Sequence, residues 1–172
     1  MAARCSWVQG ATDHQGVSMA ESPDAGEILR APLTIGYDFQ RTTGPVIGAF
    51  FTALAERRML GIRDTGGRVV CPPVEYDPES GEPLTEMVEV GTEGTVRSWS
   101  WVSRVREGQP LATPHALALI QLDGADTSML HVIDAADPSE VSTGARVRVR
   151  WAPESMDGFG NLVCFELAEG KG

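Results

Sequence analysis

At 172 residues, with 24 acidic against 14 basic side chains and a formal charge of −10, the chain is long enough for one domain with a real core and too acidic to favour a phosphate backbone. Its three cysteines, at 5, 71 and 164, are odd in number and far apart, which fits neither a disulfide framework nor a four-thiolate metal site. The N-terminus has no charged-then-apolar signal profile and no apolar run approaches the roughly 18 residues of a membrane span, so a soluble cytoplasmic protein with no nucleic-acid or membrane partner is expected.

Residues 1–31 are rich in Ala, Ser, Gly, Asp and Glu and carry no periodic apolar pattern. Such a segment cannot offset the entropy of ordering, so a disordered tail is expected, with Met19 as an alternative start. Residues 32–60 are read as an extended arm followed by a helix. In the arm, Leu33, Ile35, Tyr37 and Phe39 alternate with polar or small residues, the period of a strand. In the helix, Thr43 is the expected cap and Pro45 suits the first turn. Val46, Ile47, Phe50, Phe51 and Leu54 form the apolar stripe. Arg57 and Arg58 stand near the C-terminal end of the dipole.

The stretch RDTGGRVVCPPVEYDPES, from Arg63 to Ser80, has two turn-rich pieces on either side of a Pro-Pro arm. Prolines 72, 73, 78 and 83 restrict the unfolded chain and DPESGE supplies tight-turn chemistry. Val69, Val70, Tyr76 and Leu84 are expected to pack as a small satellite core across 61–85.

Beyond it, MVEV, TVRSWSWVSRV, ALALIQLDG, SMLHVID, ARVRVRW and LVCFEL are rich in β-branched and aromatic residues. Short strands at this spacing predict a small closed or partly open barrel over 86–168. The fold class read from these elements is therefore mainly β, a small barrel preceded by one helix.

Candidate chemistry is sparse. Cys71, Cys164 and the histidines at 14, 115 and 131 are the raw material for nucleophilic or acid–base catalysis, but no spacing joins them to an orienting carboxylate. Cys71 and Cys164 are read as buried small hydrophobes and the histidines as ordinary structural residues. Arg146, Arg148 and Arg150 alternate with Val147, Val149 and Trp151, which puts three guanidiniums on one strand face. That row can contact the phosphates of coenzyme A or an acidic partner, or it can be a solvated face. Trp99 and Trp101 are expected to share a face with Arg97 and to serve packing rather than base stacking.

The order of helix, GGRVVCPP, EYDPESGEPL, VEVGTEGTVRSWSWV, LALIQLDGADTSMLHVID and GARVRVRW resembles the zinc-ribbon/OB-fold acyl-CoA-associated proteins from about Thr43 to Leu167. Pro72-Pro73 and Glu93 to Val96 are the anchors. Members typically carry a ribbon with two Cys-x-x-Cys knuckles. Aligned on the anchors, the knuckle positions hold Arg63, Gly66, Asp77 and Ser80, so the resemblance implies a degenerate, metal-free ribbon with no zinc and no cofactor of its own.

The wording PPVEYDPESGEPLTEMVEVGTEGTV is similar to the partner domains of actinobacterial steroid side-chain aldolases. The resemblance therefore implies a non-catalytic accessory subunit of a hetero-oligomer with a thiolase-superfamily enzyme. That enzyme would be an aldolase or thiolase acting on an acyl-CoA, steroidal in the narrowest version, and acyl-CoA would be a shared substrate. The ribbon is then expected near the partner-facing side. The alternatives are a freestanding acyl-CoA-binding OB module, a single-stranded nucleic-acid binder, less favoured by the charge, and an enzyme in its own right, which the missing catalytic constellation disfavours.

Overall fold

The computed structural model describes Leu33, Gly36, residues 42–156 and residues 158–168. The predicted tail, with Cys5 and His14, and the arm apart from Leu33 and Gly36 lie outside the described residues. By its internal contacts the chain divides after Thr42, and the architecture that follows is that of the unit beginning at Thr43.

Helix α1 runs Gly44–Ala55, with Pro45 in its first turn. Thr43 occupies the cap position, but its backbone is already helical (φ −75°, ψ −11°) and its hydroxyl makes no capping bond. A side-chain cap needs an extended residue there to turn the oxygen back onto the first free N–H groups. Val46, Phe50, Ala53 and Leu54 are buried, while Ile47 and Phe51 are half-buried. The helix stops sooner than the pattern implies. Arg57 adopts a left-handed φ of 59°, and its N–H and that of Arg58 close the last turn on Leu54 O and Ala53 O at 3.0 and 2.8 Å. The two arginines therefore lie past the helix. Arg57 donates to the carbonyls of Ala152 and Pro153, both at 3.2 Å, and Arg58 pairs with Glu56 and Glu89.

Met59, expected in the helical segment, opens a strand. β1 (Met59–Arg63), β2 (Val69–Val70) and β3 (Met87–Val90) form an antiparallel sheet in the order β2-β1-β3. β3 was expected with the barrel and pairs with β1 instead. The chain bends at Thr92, beside Gly91, whose N–H reaches Asp123 O at 2.7 Å. The satellite core also differs from expectation. Leu84 packs with Val46 and Ile62, flanked by Val70 and Met87, whereas Val69 joins the main core and Tyr76 is 60% exposed.

The remaining strands are β4 (Glu93–Val102), β5 (His115–Leu122), β6 (Met129–Asp134), β7 (Arg146–Trp151) and β8 (Leu162–Leu167). They close a barrel in the order β4-β5-β6-β8-β7, with β7 returning to β4. Every pair is antiparallel except β6 and β8. A closed sheet leaves no edge open to stray pairing. Val96, Ile120, Met129, Ile133, Val147 and Phe165 fill the interior. Phe50, Leu54, Met59, Val69 and Cys71 belong to the same apolar cluster, so helix and sheet lean on the barrel as well as sharing the small Val46, Ile62 and Leu84 cluster.

The edge of β2 is tied down by the β5–β6 turn. Asp126 accepts from Val69 N at 2.7 Å, Asp126 N reaches Val69 O at 2.8 Å, and the Thr127 hydroxyl accepts from Cys71 N at 2.8 Å.

Candidate functional site

On β7 the alternation behaves as its period requires. Val147 and Val149 are buried, and Arg146 and Arg148 are exposed, with Arg150 half-buried. Each guanidinium of the predicted row faces a carboxylate of its own molecule. Arg146 forks onto Asp123 at 2.7 and 2.6 Å and also reaches Glu93 at 3.3 Å and the Thr95 hydroxyl at 3.2 Å. Arg148 donates to Glu166 at 2.7 Å and Arg150 to Asp134 at 2.5 Å. The Arg146 hydrogen bonds hold the Asp123 carboxyl below its ordinary range. Beside Arg148 lies an open depression of about 680 Å³, lined in part by Thr113, Pro114, Asp134, Glu140 and Glu166. An incoming phosphate would have to displace these carboxylates, so the row is locally neutralised and not a bare cationic patch.

Among the described residues, the two thiols are inert. Cys71 is 2% exposed and burial pushes its thiol up to about 12, while Cys164 is fully buried and pushed up to about 11 by the same cause. His115 is buried and donates from Nδ1 to Thr113 O at 2.8 Å. His131 sets its ring edge-on against Phe165, 5.6 Å between centroids, and burial lowers its affinity for a proton. Neither ring is bonded to a carboxylate among the described residues. The molecule thus holds no nucleophile–base pair at these positions.

Trp99 and Trp101 pack partly buried against the core, but Arg97 does not share their face. The register of β4 on β5 slips between Val96 and Ser98, a bulge that leaves Arg97 and Ser98 both exposed and switches the inward face from even to odd positions. Arg97 is free of the indoles and bonds Gln121 at 2.7 Å. On the outer face of β5 and β6, Leu119 stands opposite Leu130, with Leu117 beside them. All three are exposed, Leu130 at 60%. Sequence reading missed this patch because ALALIQL and SMLHVI look like strands buried on both faces.

At the four positions where the resemblance would put zinc ligands, the chemistry does not fit the metal. Arg63 is turned to Glu86 at 2.8 Å and Gly67 O at 2.9 Å, and Gly66 has no side chain. The Ser80 hydroxyl accepts from Glu82 N at 3.3 Å. Asp77 is 3% exposed and both its oxygens are taken. Hydrogen bonds, first that from the Thr65 hydroxyl and then those from backbone N–H groups, hold its carboxyl well below the usual range. Among the described residues no group of three or more His, Cys, Asp or Glu could hold a metal ion, and no helix is long and apolar enough to cross a membrane.

The sequence profile described as ChsH2, C-terminal OB-fold domain, matches residues 87–152. No curated protein matches the chain. Among solved structures, a protein of unknown function from the DUF35 family of Sulfolobus solfataricus is 26% identical, with a TM-score of 0.50, over 62% of this chain and 78% of that one. The structure described as Ltp2-ChsH2(DUF35) aldolase is 20% identical, with a TM-score of 0.53, over 74% of this chain and 98% of that one, a likeness of fold. The resemblance carried by the sequence is thereby shown, with the profile match confined to residues 87–152.

Proposed function

We propose that this chain is a non-catalytic accessory subunit that binds a thiolase-superfamily enzyme and supports its work on acyl-CoA thioesters, in the narrowest version the retro-aldol cleavage of a steroid side chain. The observation that carries the reading is the match of residues 87–152 to the ChsH2 C-terminal OB-fold domain, together with a fold shared with a chain of the Ltp2-ChsH2 aldolase. The partner supplies the catalytic base and oxyanion donors, and this chain shapes or completes its substrate tunnel. Among the described residues, the buried, protonated thiols Cys71 and Cys164 and the histidines His115 and His131, without carboxylate partners, support a role outside the chemical step. We assign the contact to the outer leucine face of β5 and β6, since contiguous exposed apolar side chains mark interaction surfaces.

Co-expression with a thiolase-like enzyme, followed by affinity purification through one partner and a thioester cleavage assay, tests the reading. The two chains are expected to co-elute, with cleavage falling at least about tenfold when this chain is omitted, a loss of about 1.4 kcal/mol in transition-state stabilisation. A partner that elutes alone and is fully active alone refutes it. Leu119→Asp and Leu130→Asp, on exposed positions, are expected to abolish co-elution while leaving the thermal midpoint of the isolated chain nearly unchanged.

A further inference from the structure

The two turns from Asp64 to Gly67 and from Asp77 to Gly81 are each closed by their own backbone. Gly67 N reaches Asp64 O at 3.0 Å, and Gly81 N reaches Asp77 O at 2.8 Å. Neither turn alone explains why the two stay together, because they are joined in sequence only through the long Pro-Pro arm. The buried link between them is one side chain. Asp77 Oδ2 accepts from Thr65 N at 2.9 Å and from the Thr65 hydroxyl at 2.6 Å, both in the first turn. Its Oδ1 accepts from Glu79 N at 2.7 Å and Ser80 N at 3.0 Å, both in the second.

We infer that the Asp77 carboxylate is a metal-independent clasp, tying the two turns of the ribbon-like segment together at the place where the resemblance would put a zinc ion. Four donors converge on two oxygens, which meets the hydrogen-bonding capacity a buried carboxylate must fill. The acceptor is shared evenly between the turns, which a residue serving only its own turn would not show. A second, exposed bridge spans the same gap, from the Arg68 guanidinium to Glu79 at 3.1 Å. On the first turn, Asp64 accepts from Arg68 N and Nε, both at 2.8 Å, and so orients that arginine toward the second turn. The inference concerns how this segment is held and stands whether or not the accessory-subunit reading does.

Amide hydrogen exchange on the full chain, read by NMR, tests it. In Asp77→Ala both acceptor oxygens are lost, so exchange is expected to accelerate at least about tenfold at Thr65 as well as at Glu79 and Ser80, with Val96 in the barrel unchanged. Acceleration at Glu79 and Ser80 with Thr65 still protected would reduce Asp77 to a local turn residue and overturn the clasp. Thr65→Val serves where Asp77→Ala does not accumulate. It removes the hydroxyl bond alone and is expected to accelerate exchange at the residue-65 amide, and unchanged protection there counts against the inference. Metal analysis of the purified wild-type chain is the independent arm. A thermal midpoint indifferent to chelator and to added zinc supports the clasp, and stoichiometric zinc whose removal deprotects Thr65 sinks it.

Discussion

Gly94 shows how one missing side chain can close a barrel. It is hydrogen-bonded into β5 opposite Leu122 and into β7 opposite Val147, and a Cβ placed on it would meet the Gln121 carbonyl oxygen at 2.5 Å. The obstruction is backbone, which cannot swing aside as a side chain can. Gly94→Ala is therefore expected to destabilise the chain by about 1–3 kcal/mol, read as a lower urea midpoint. An unchanged midpoint would mean that the seam yields more easily than the geometry implies. The glycine lies in the EGTV anchor, so its presence was visible in the sequence. Its reason was not, because β5 and β7 approach it from about 30 and 50 residues away, a distance no local pattern reports. Asp77 is a similar case: its turn chemistry was legible, and its bond to Thr65 was not.

At the scale of elements, the strands were legible because period-2 alternation and β-branched content survive wherever one face is buried. ARVRVRW is the clearest instance. Sequence placed Arg146, Arg148 and Arg150 on one outward face, and only the barrel set Asp123, Glu166 and Asp134 against them. The same pairing makes their value to stability small. The pairs of Arg146 and Arg148 are largely exposed, worth about 0–1 kcal/mol each, so Arg146→Ala is expected to shift the unfolding midpoint only slightly and less still in high salt. A coenzyme A titration by calorimetry, wild type against Arg148→Ala, then asks whether the row binds phosphate. We expect weak or no heat from either chain alone, and a strong wild-type signal lost in the variant would restore the row as a coenzyme A site. The bulge at Arg97 is the counterexample to reading faces from parity. One inserted residue moved Trp99 and Trp101 inward and left Arg97 outside, and a strict count of two cannot anticipate the slip. The helix end differed for a related reason, since Arg57 takes a left-handed conformation that few residues other than glycine adopt.

For the whole molecule, the pH dependence of stability follows from how protons are bound in the folded and unfolded chain. His131 is held neutral by burial, so its folded value lies below the unfolded value of about 6.5. The unfolded state therefore binds more protons as the pH falls. This contribution is complete above about pH 6.5 and declines below it. The carboxyls of Asp77 and Asp123 are depressed in the fold, so their contribution is complete above the ordinary carboxylate value of about 4 and is lost in stronger acid. Urea midpoints measured between pH 8 and pH 3 are expected to fall in two stages, and His131→Gln should flatten the first. A first stage unaltered by that substitution would assign it to another group.

Sequence alone determined the class of the fold, the succession of strands from β3 to β8, the helix and its apolar stripe, and the family resemblance, because each is written in patterns a few residues long or in the spacing of anchors along the chain. It also showed that four zinc ligands were absent from the expected positions. Only the tertiary structure decided what stands in their place, which carboxylate neutralises each arginine of β7, that β3 leaves the barrel for β1, and that Leu119 and Leu130 face outward together. These outcomes depend on which distant segments meet. Hydrogen bonds and ion pairs act over a few ångströms, so they become definite only once the barrel has closed and brought those segments within reach.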